Sequence, residues 1–204
     1  MAQLHRATIT PGKLEIVEAW APTQPWCAVG GFSQLGAYRF DDPAGRVGSE
    51  TLLVQAPGQP PLQVPLTYRD TPLPGGEEWL LATAEHSVLG RRWVYDGMHD
   101  PVAVAAFVAA IHSGAGEAEQ YVEEDGQRVR CPPTVMVRGS GTSAGSVHPP
   151  ASMSTRSDSR TTTTETDDGT LVLARVLDAP FLLGERILVG AWRDATPLTL
   201  ATLL

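Results

Sequence analysis

The sequence predicts an α+β protein, a mainly antiparallel β-sheet with one or two packed helices and a disordered internal loop. Three observations carry that prediction. Short runs rich in valine, leucine, tyrosine and tryptophan recur along the chain, divided by Pro/Gly turns, as the strands of an antiparallel sheet are. The stretch His86–His112 (H-S-V-L-G-R-R-W-V-Y-D-G-M-H-D-P-V-A-V-A-A-F-V-A-A-I-H) ends in the most apolar helical pattern of the protein. Gly139–Gly169 holds almost no large apolar side chain, so burial there would not offset the entropy lost on ordering.

Taken in order, Leu4–Thr10 reads as a short strand closed by Pro11-Gly12. Lys13–Trp20 places Leu14, Ile16, Val17 and Trp20 at helical spacing, and Pro22 and Pro25 end that helix before Trp26. Gly30–Arg39 is glycine-broken, with Phe32, Leu35, Tyr38 and Phe40 as anchors for a loop and strand. Asp41–Glu50 (D-D-P-A-G-R-V-G-S-E) is turn chemistry. Thr51–Gln55 and Leu62–Tyr68 then form a hairpin, with Pro65 suggesting an edge or a bulge. Trp79–Thr83 and Arg92–Tyr95 are strands flanking the H-S-V-L-G-R turn.

The helix that follows has Asp100 at its N-cap and Pro101 at its first position, where the missing N–H costs nothing. Val104, Phe107, Val108 and Ile111 share one face, while Ala103, Ala106 and Ala110 let neighbours approach closely. Glu117–Asp125 reads as an acidic helix stopped by Gly126, and P-T-V-M-V-R at 133–138 as a strand. After the 139–169 tract come strands over Thr170–Leu177 and Arg186–Trp192, then a last strand or short helix over Thr196–Leu204. No internal repeat is visible in the sequence.

Composition narrows the functional classes. The formal charge of -8 opposes binding to nucleic acid phosphates or to an anionic membrane surface. Cys27 and Cys131 lie far apart without a C-x-x-C motif, which indicates neither a zinc site nor a redox pair. With no apolar h-region at the start and no apolar run of 18 residues, a cytoplasmic location is expected. Lys13 is the only lysine and asparagine does not occur. No G-x-x-x-x-G-K-[ST] motif is present, and a kinase catalytic loop needs an asparagine for magnesium. No metal ligand set and no cofactor are expected.

Gly141-Thr142-Ser143-Ala144-Gly145 matches G-x-S-x-G, but a nucleophile elbow needs a strand before it and a helix after it. In a Ser/Gly/Thr tract the match is compositional. His86, Asp96, His99 and Asp100 lack metal-ligand spacing, and turn hydrogen bonds and a helix cap account for them. The densest mixture of charge and aromatic groups is Arg91, Arg92, Trp93, Tyr95 and Asp96, with Tyr68 and Arg69 on the hairpin. These are the candidate ligand-binding residues, an indole for a sugar face and guanidinium groups for an anion. The structural alternative has Trp93 and Tyr95 alternating with Arg92 and Val94 along a strand. No catalytic residue is assigned.

The segment Trp20-Ala21-Pro22-Thr23-Gln24-Pro25-Trp26 resembles the W-x-P-x-Q-x-W opening of the N-terminal cap of actinobacterial maltokinases. The hairpin L-Q-V-P-L-T-Y-R and the stretch V-Y-D-G-M-H-D-P with its alanine-rich helix look like later parts of that cap. The resemblance implies a curved, cystatin-like sheet with a helix, one cap-like domain over residues 1–204 containing the 139–169 loop. It also implies an accessory, non-enzymatic role in trehalose, maltose or glycogen-like glucan metabolism, with a sugar kinase or another glucan-pathway enzyme as partner. A sugar or sugar-phosphate binder is the alternative expectation, and an enzyme in its own right, resting on His86, Asp96 and Asp100, ranks third.

Overall fold

The computed structural model describes residues 2–4, 8–124, 127–143, 145, 147–179, 184–193 and 195–204. Its first part runs β1 (Ala2–Leu4), β2 (Ile9–Thr10), α1 (Lys13–Trp20), β3 (Ser33–Phe40), β4 (Val47–Gln55), β5 (Leu62–Arg69), β6 (Leu80–His86) and β7 (Gly90–Asp96). The long helix α2 (Pro101–Ser113) is followed by β8 (Gln120–Glu124) and β9 (Gln127–Cys131). The remaining strands are β10 (Met136–Gly139), β11 (Met153–Ser157), β12 (Thr161–Thr166), β13 (Gly169–Ala174), β14 (Ile187–Ala191) and β15 (Leu198–Leu203).

The strands form two curled six-stranded antiparallel sheets, ordered β2-β6-β7-β5-β4-β3 and β10-β14-β15-β13-β12-β11, and a small sheet β1-β8-β9. Numbered by appearance, both large sheets have the same order, 1-5-6-4-3-2. Each also breaks register in its 5–6 pair, at Leu80/Ala82 and at Leu188/Val189. The sequence shows no repeat, yet the backbone repeats one wiring diagram.

The first sheet is buried on both faces. Leu52, Val54, Val64, Leu66 and Val94 pack with Ile16 and Val17 of α1 on one side. Tyr38, Phe40 and Leu53 pack on the other with Val104, Phe107 and Ile111 of α2 and with Leu171, Leu188 and Leu200 of the second sheet. Helix α2 is therefore the element both sheets share. Tyr38, Phe40 and Phe107 meet edge to face, at ring distances of 5.6, 6.3 and 5.3 Å, the arrangement the ring quadrupoles favour. Gln63 ties the sheets together from full burial. Its amide donates to the carbonyls of Ala174 (2.8 Å) and Leu200 (3.0 Å) and accepts from the Tyr38 hydroxyl (2.8 Å).

Several expectations need correction. Residues 120–124 form strand β8, paired with β1 and β9, where an acidic helix was expected; Tyr121 and Val122 suit a pleated sheet better than a helix. Pro65 sits inside an interior strand, since β5 lies between β4 and β7. It is tolerated because β7 pairs only with residues 66–69, while Leu62 bridges to Val176, leaving Pro65 in the gap. Within the expected 1–204 unit, the 139–169 tract contains β11 and β12 instead of a disordered excursion. Its β-branched threonines fit the pleat. The inward Thr162 and Thr164 are fully buried with their hydroxyls bonded, to Arg175 Nε and to the Met98 carbonyl. The expected strand over Leu4–Thr10 falls partly on residues 5–7, outside the described set.

The caps of α2 explain two more motifs. Asp100 accepts from the Val102 amide at 3.0 Å and takes a bidentate ion pair from Arg69 at 2.6 and 2.7 Å. Asp100→Ala is expected to lower stability by roughly 3 kcal/mol, the cap plus a stranded guanidinium, read from urea unfolding. Asp100→Asn, which keeps the cap, should lose less. At the other end, Gly141 and Ser143 donate their amides to the carbonyls of Ile111 (2.8 Å) and His112 (2.9 Å). The G-x-S-x-G match therefore belongs to a helix terminus, not to a nucleophile elbow.

Candidate functional site

The most chemically loaded place in the fold is the corner where β7 passes into α2, through the short helical turn Gly97–His99. Asp96 accepts from the Met98 amide at 3.3 Å and pairs with Arg175 at 2.6 Å. Arg175 follows β13 directly and is fully buried. Its Nε donates to Thr162 Oγ1 at 2.7 Å, and its guanidinium lies 4.8 Å from the Trp26 ring centroid and 5.9 Å from that of Trp20. The two tryptophans that bracket W-A-P-T-Q-P-W thus roof a cation removed from water, where the ring faces attract it electrostatically. Sequence reasoning missed Arg175, whose signal was an arginine closing the otherwise apolar run L-V-L-A-R-V.

The same corner holds His99, stacked on Trp79 at 4.8 Å and 4.0 Å from the Asp96 carboxylate. Burial holds its pKa below 6.5; Asp96 opposes that shift, and Arg175 adds to it. The neutral ring is therefore the folded form near neutrality. As pH falls through the usual histidine range the unfolded chain takes the proton first, so stability present above that range is lost below it. The urea midpoint is expected to fall between about pH 7 and about pH 5, and His99→Phe, which keeps the stack, should flatten that slope.

Of the seven candidate ligand-binding residues the structure brings Arg69 and Trp93 together as cross-strand partners, and the others are spread between buried contacts and the hairpin. Tyr95 is buried, its hydroxyl accepting from the Leu73 amide at 2.9 Å. Asp96 and Arg69 are engaged by Arg175 and Asp100. Tyr68 is buried beside Glu50, and burial followed by the Glu50 charge pushes its hydroxyl well above the usual tyrosine range. Lys13, the sole lysine, pairs with Glu50 at 2.5 Å and lies 5.9 Å from the Tyr68 ring. The other three stand on the β6–β7 hairpin. Arg91 pairs with Glu85 at 2.9 Å, Arg92 donates to the Leu89 carbonyl at 2.7 Å, and half-buried Trp93 lies across from Thr83 and Arg69. The hairpin tip exposes Val88 (57%) and Leu89 (50%). His86 Nδ1 holds the turn by accepting from both their amides, at 3.2 and 3.1 Å.

A cleft of about 710 Å³ opens along α2. Ala105, Ala106 and Ala109 floor it, and Arg46, Arg69 and His148 stand on its walls. Among the described residues no three His, Cys, Asp or Glu side chains gather as a metal site, and no helix is long and apolar enough to cross a membrane. Cys27 and Cys131 are both free thiols.

Curled antiparallel sheets with a helix packed between them, and a buried Trp–Arg–Asp corner at the entry to that helix, make an α+β fold. Residues 20–100 match the family model of the maltokinase N-terminal cap domain, so that segment is similar to a maltokinase N-terminal cap. That match begins at Trp20 of the aromatic roof and ends at Asp100, the cap of α2. No curated protein matches the chain.

Proposed function

We propose that the protein is a non-catalytic cap-like module of the cytoplasm that docks on an enzyme of trehalose, maltose or glycogen-like glucan metabolism, a sugar kinase in the first instance. The observation that carries this reading is the β6–β7 hairpin inside the matched segment. Its tip offers exposed Val88 and Leu89 next to Arg91 and Arg92, an apolar contact with a charged surround of the kind protein interfaces use. The single lysine and the lack of asparagine support a role without phosphoryl transfer. Calorimetry of the purified chain against a maltokinase-type enzyme is expected to show binding that Val88→Asp with Leu89→Asp abolishes. Flat titrations, with no glucan-pathway enzyme captured from native lysate, would overturn it.

A second reading, binding of a sugar or sugar phosphate, is favoured by the cleft along α2, whose volume suits a small ligand and whose wall includes Arg69. A thermal-shift screen with maltose, trehalose, glucan oligomers, their phosphates and Mg-ATP tests it. Arg69→Ala and Trp93→Ala then separate the cleft from the hairpin as the place bound.

A further inference from the structure

We infer that strand β11 is a self-association edge, at which a second copy of this chain adds antiparallel to make one continuous sheet. β11 is the terminal strand of the second sheet. At its hairpin turn the Asp158 amide donates to the Thr161 carbonyl at 2.9 Å. Counting back through the register, Arg156–Thr163 and Ser154–Glu165 are then the hydrogen-bonded pairs. The side-chain oxygens of Thr155 and Thr164 (3.1 Å) and of Ser157 and Thr162 (2.8 Å) touch, as the closer, non-hydrogen-bonded pairs do. The backbone N–H and C=O groups of Met153, Thr155 and Ser157 therefore point out of the sheet.

Natural edges are blunted by charged side chains, proline, bulges, shortness or a covering segment. β11 (M-S-T-R-S) is five residues long with no proline, its register with β12 is unbroken, and its one charge, Arg156, is neutralised by Glu165 on β12. Among the described residues no backbone group is hydrogen-bonded to its outer side.

The strand is complementary to itself. Antiparallel pairing centred on Thr155 sets Met153 against Ser157 of the second copy and satisfies the amides and carbonyls of all three outward residues on each chain. On the exposed face Arg156 then lies opposite Ser154 of the second copy, with Glu165 of that copy on the next strand. Each chain already holds Arg156 and Glu165 together at 2.5 Å. Across the seam each arginine meets the other copy's glutamate, and the two-fold makes this happen twice.

Sedimentation velocity of the full chain over a concentration series should show a monomer–dimer equilibrium. Hydrogen exchange at the Met153, Thr155 and Ser157 amides should slow as the dimer forms. Thr155→Pro, which removes an outward N–H while leaving the β12 pairing groups in place, should abolish the dimer. Arg156→Glu should raise the dissociation constant about tenfold or more. Combining it with Glu165→Arg should restore the dimer, since the swap restores the alternation of charge. A chain that stays monomeric at every concentration overturns the inference. So does a dimer whose strength and exchange pattern ignore both Thr155→Pro and Arg156→Glu, because its interface would lie elsewhere.

Discussion

Gly139→Ala is expected to be the most damaging glycine-to-alanine change among the described residues. A Cβ at residue 139 would stand 1.9 Å from the Ala110 carbonyl oxygen and 2.7 Å from its carbon. Both atoms belong to the backbone of α2, and Ala110 is itself buried, so no flexible side chain can move aside. The strand must retreat from the helix, which breaks the Gly139 amide bond to the Ala115 carbonyl (3.0 Å) and opens the shared core. A loss on the order of 4 kcal/mol follows, at the upper end for one substitution. Gly141→Ala meets the His112 carbonyl oxygen at 2.1 Å and should behave alike. Gly145→Ala has nothing within 4 Å and is the control; its urea midpoint should match the parent, and comparable damage there would defeat the close-approach explanation.

Asp96→Ala ranks second. It strands the Arg175 guanidinium at full burial with only a hydroxyl, a carbonyl and two indole faces for company. Removing one member of a buried ion pair costs about 3–5 kcal/mol, because the remaining charge keeps its desolvation penalty. Replacing both members by apolar groups of similar volume, Asp96→Leu with Arg175→Met, should recover most of that loss. Chemical denaturation of the two variants decides the matter. A double variant no more stable than Asp96→Ala would mean that the pair contributes beyond mutual compensation.

How legible was this in the sequence? Helix α2 was, down to its cap, because Asp100-Pro101 and the spacing of Val104, Phe107, Val108 and Ile111 are local signals. The strands of the first sheet were legible for the same reason. The threonine hairpin was not: a run such as T-T-T-T-E-T lacks apolar mass, and its burial depends on a donor from Arg175 and an acceptor carbonyl from Met98, both elsewhere in the chain. Pro65 signals a locally open side, which β5 has because β7 pairs only from Leu66 onward, but that the strand as a whole is interior depends on where a distant neighbour stops. In the candidate site, the charge-and-aromatic density around Arg91–Asp96 was visible, but which side chains face inward was not. Asp96 became part of a corner only through Arg175, 79 residues away.

The Gln63 tie carries a kinetic consequence. Its amide reaches carbonyls 111 and 137 residues further along the chain. Contacts so remote reward the chain only after long loops have closed, so assembly is slow compared with a protein built from neighbours. Until that closure, the faces later covered by α2 and the second sheet are bare, and chains in that condition stick to one another. Refolding at low protein concentration favours the native route, and the same amide that makes the finished protein one body makes its formation wait for both halves.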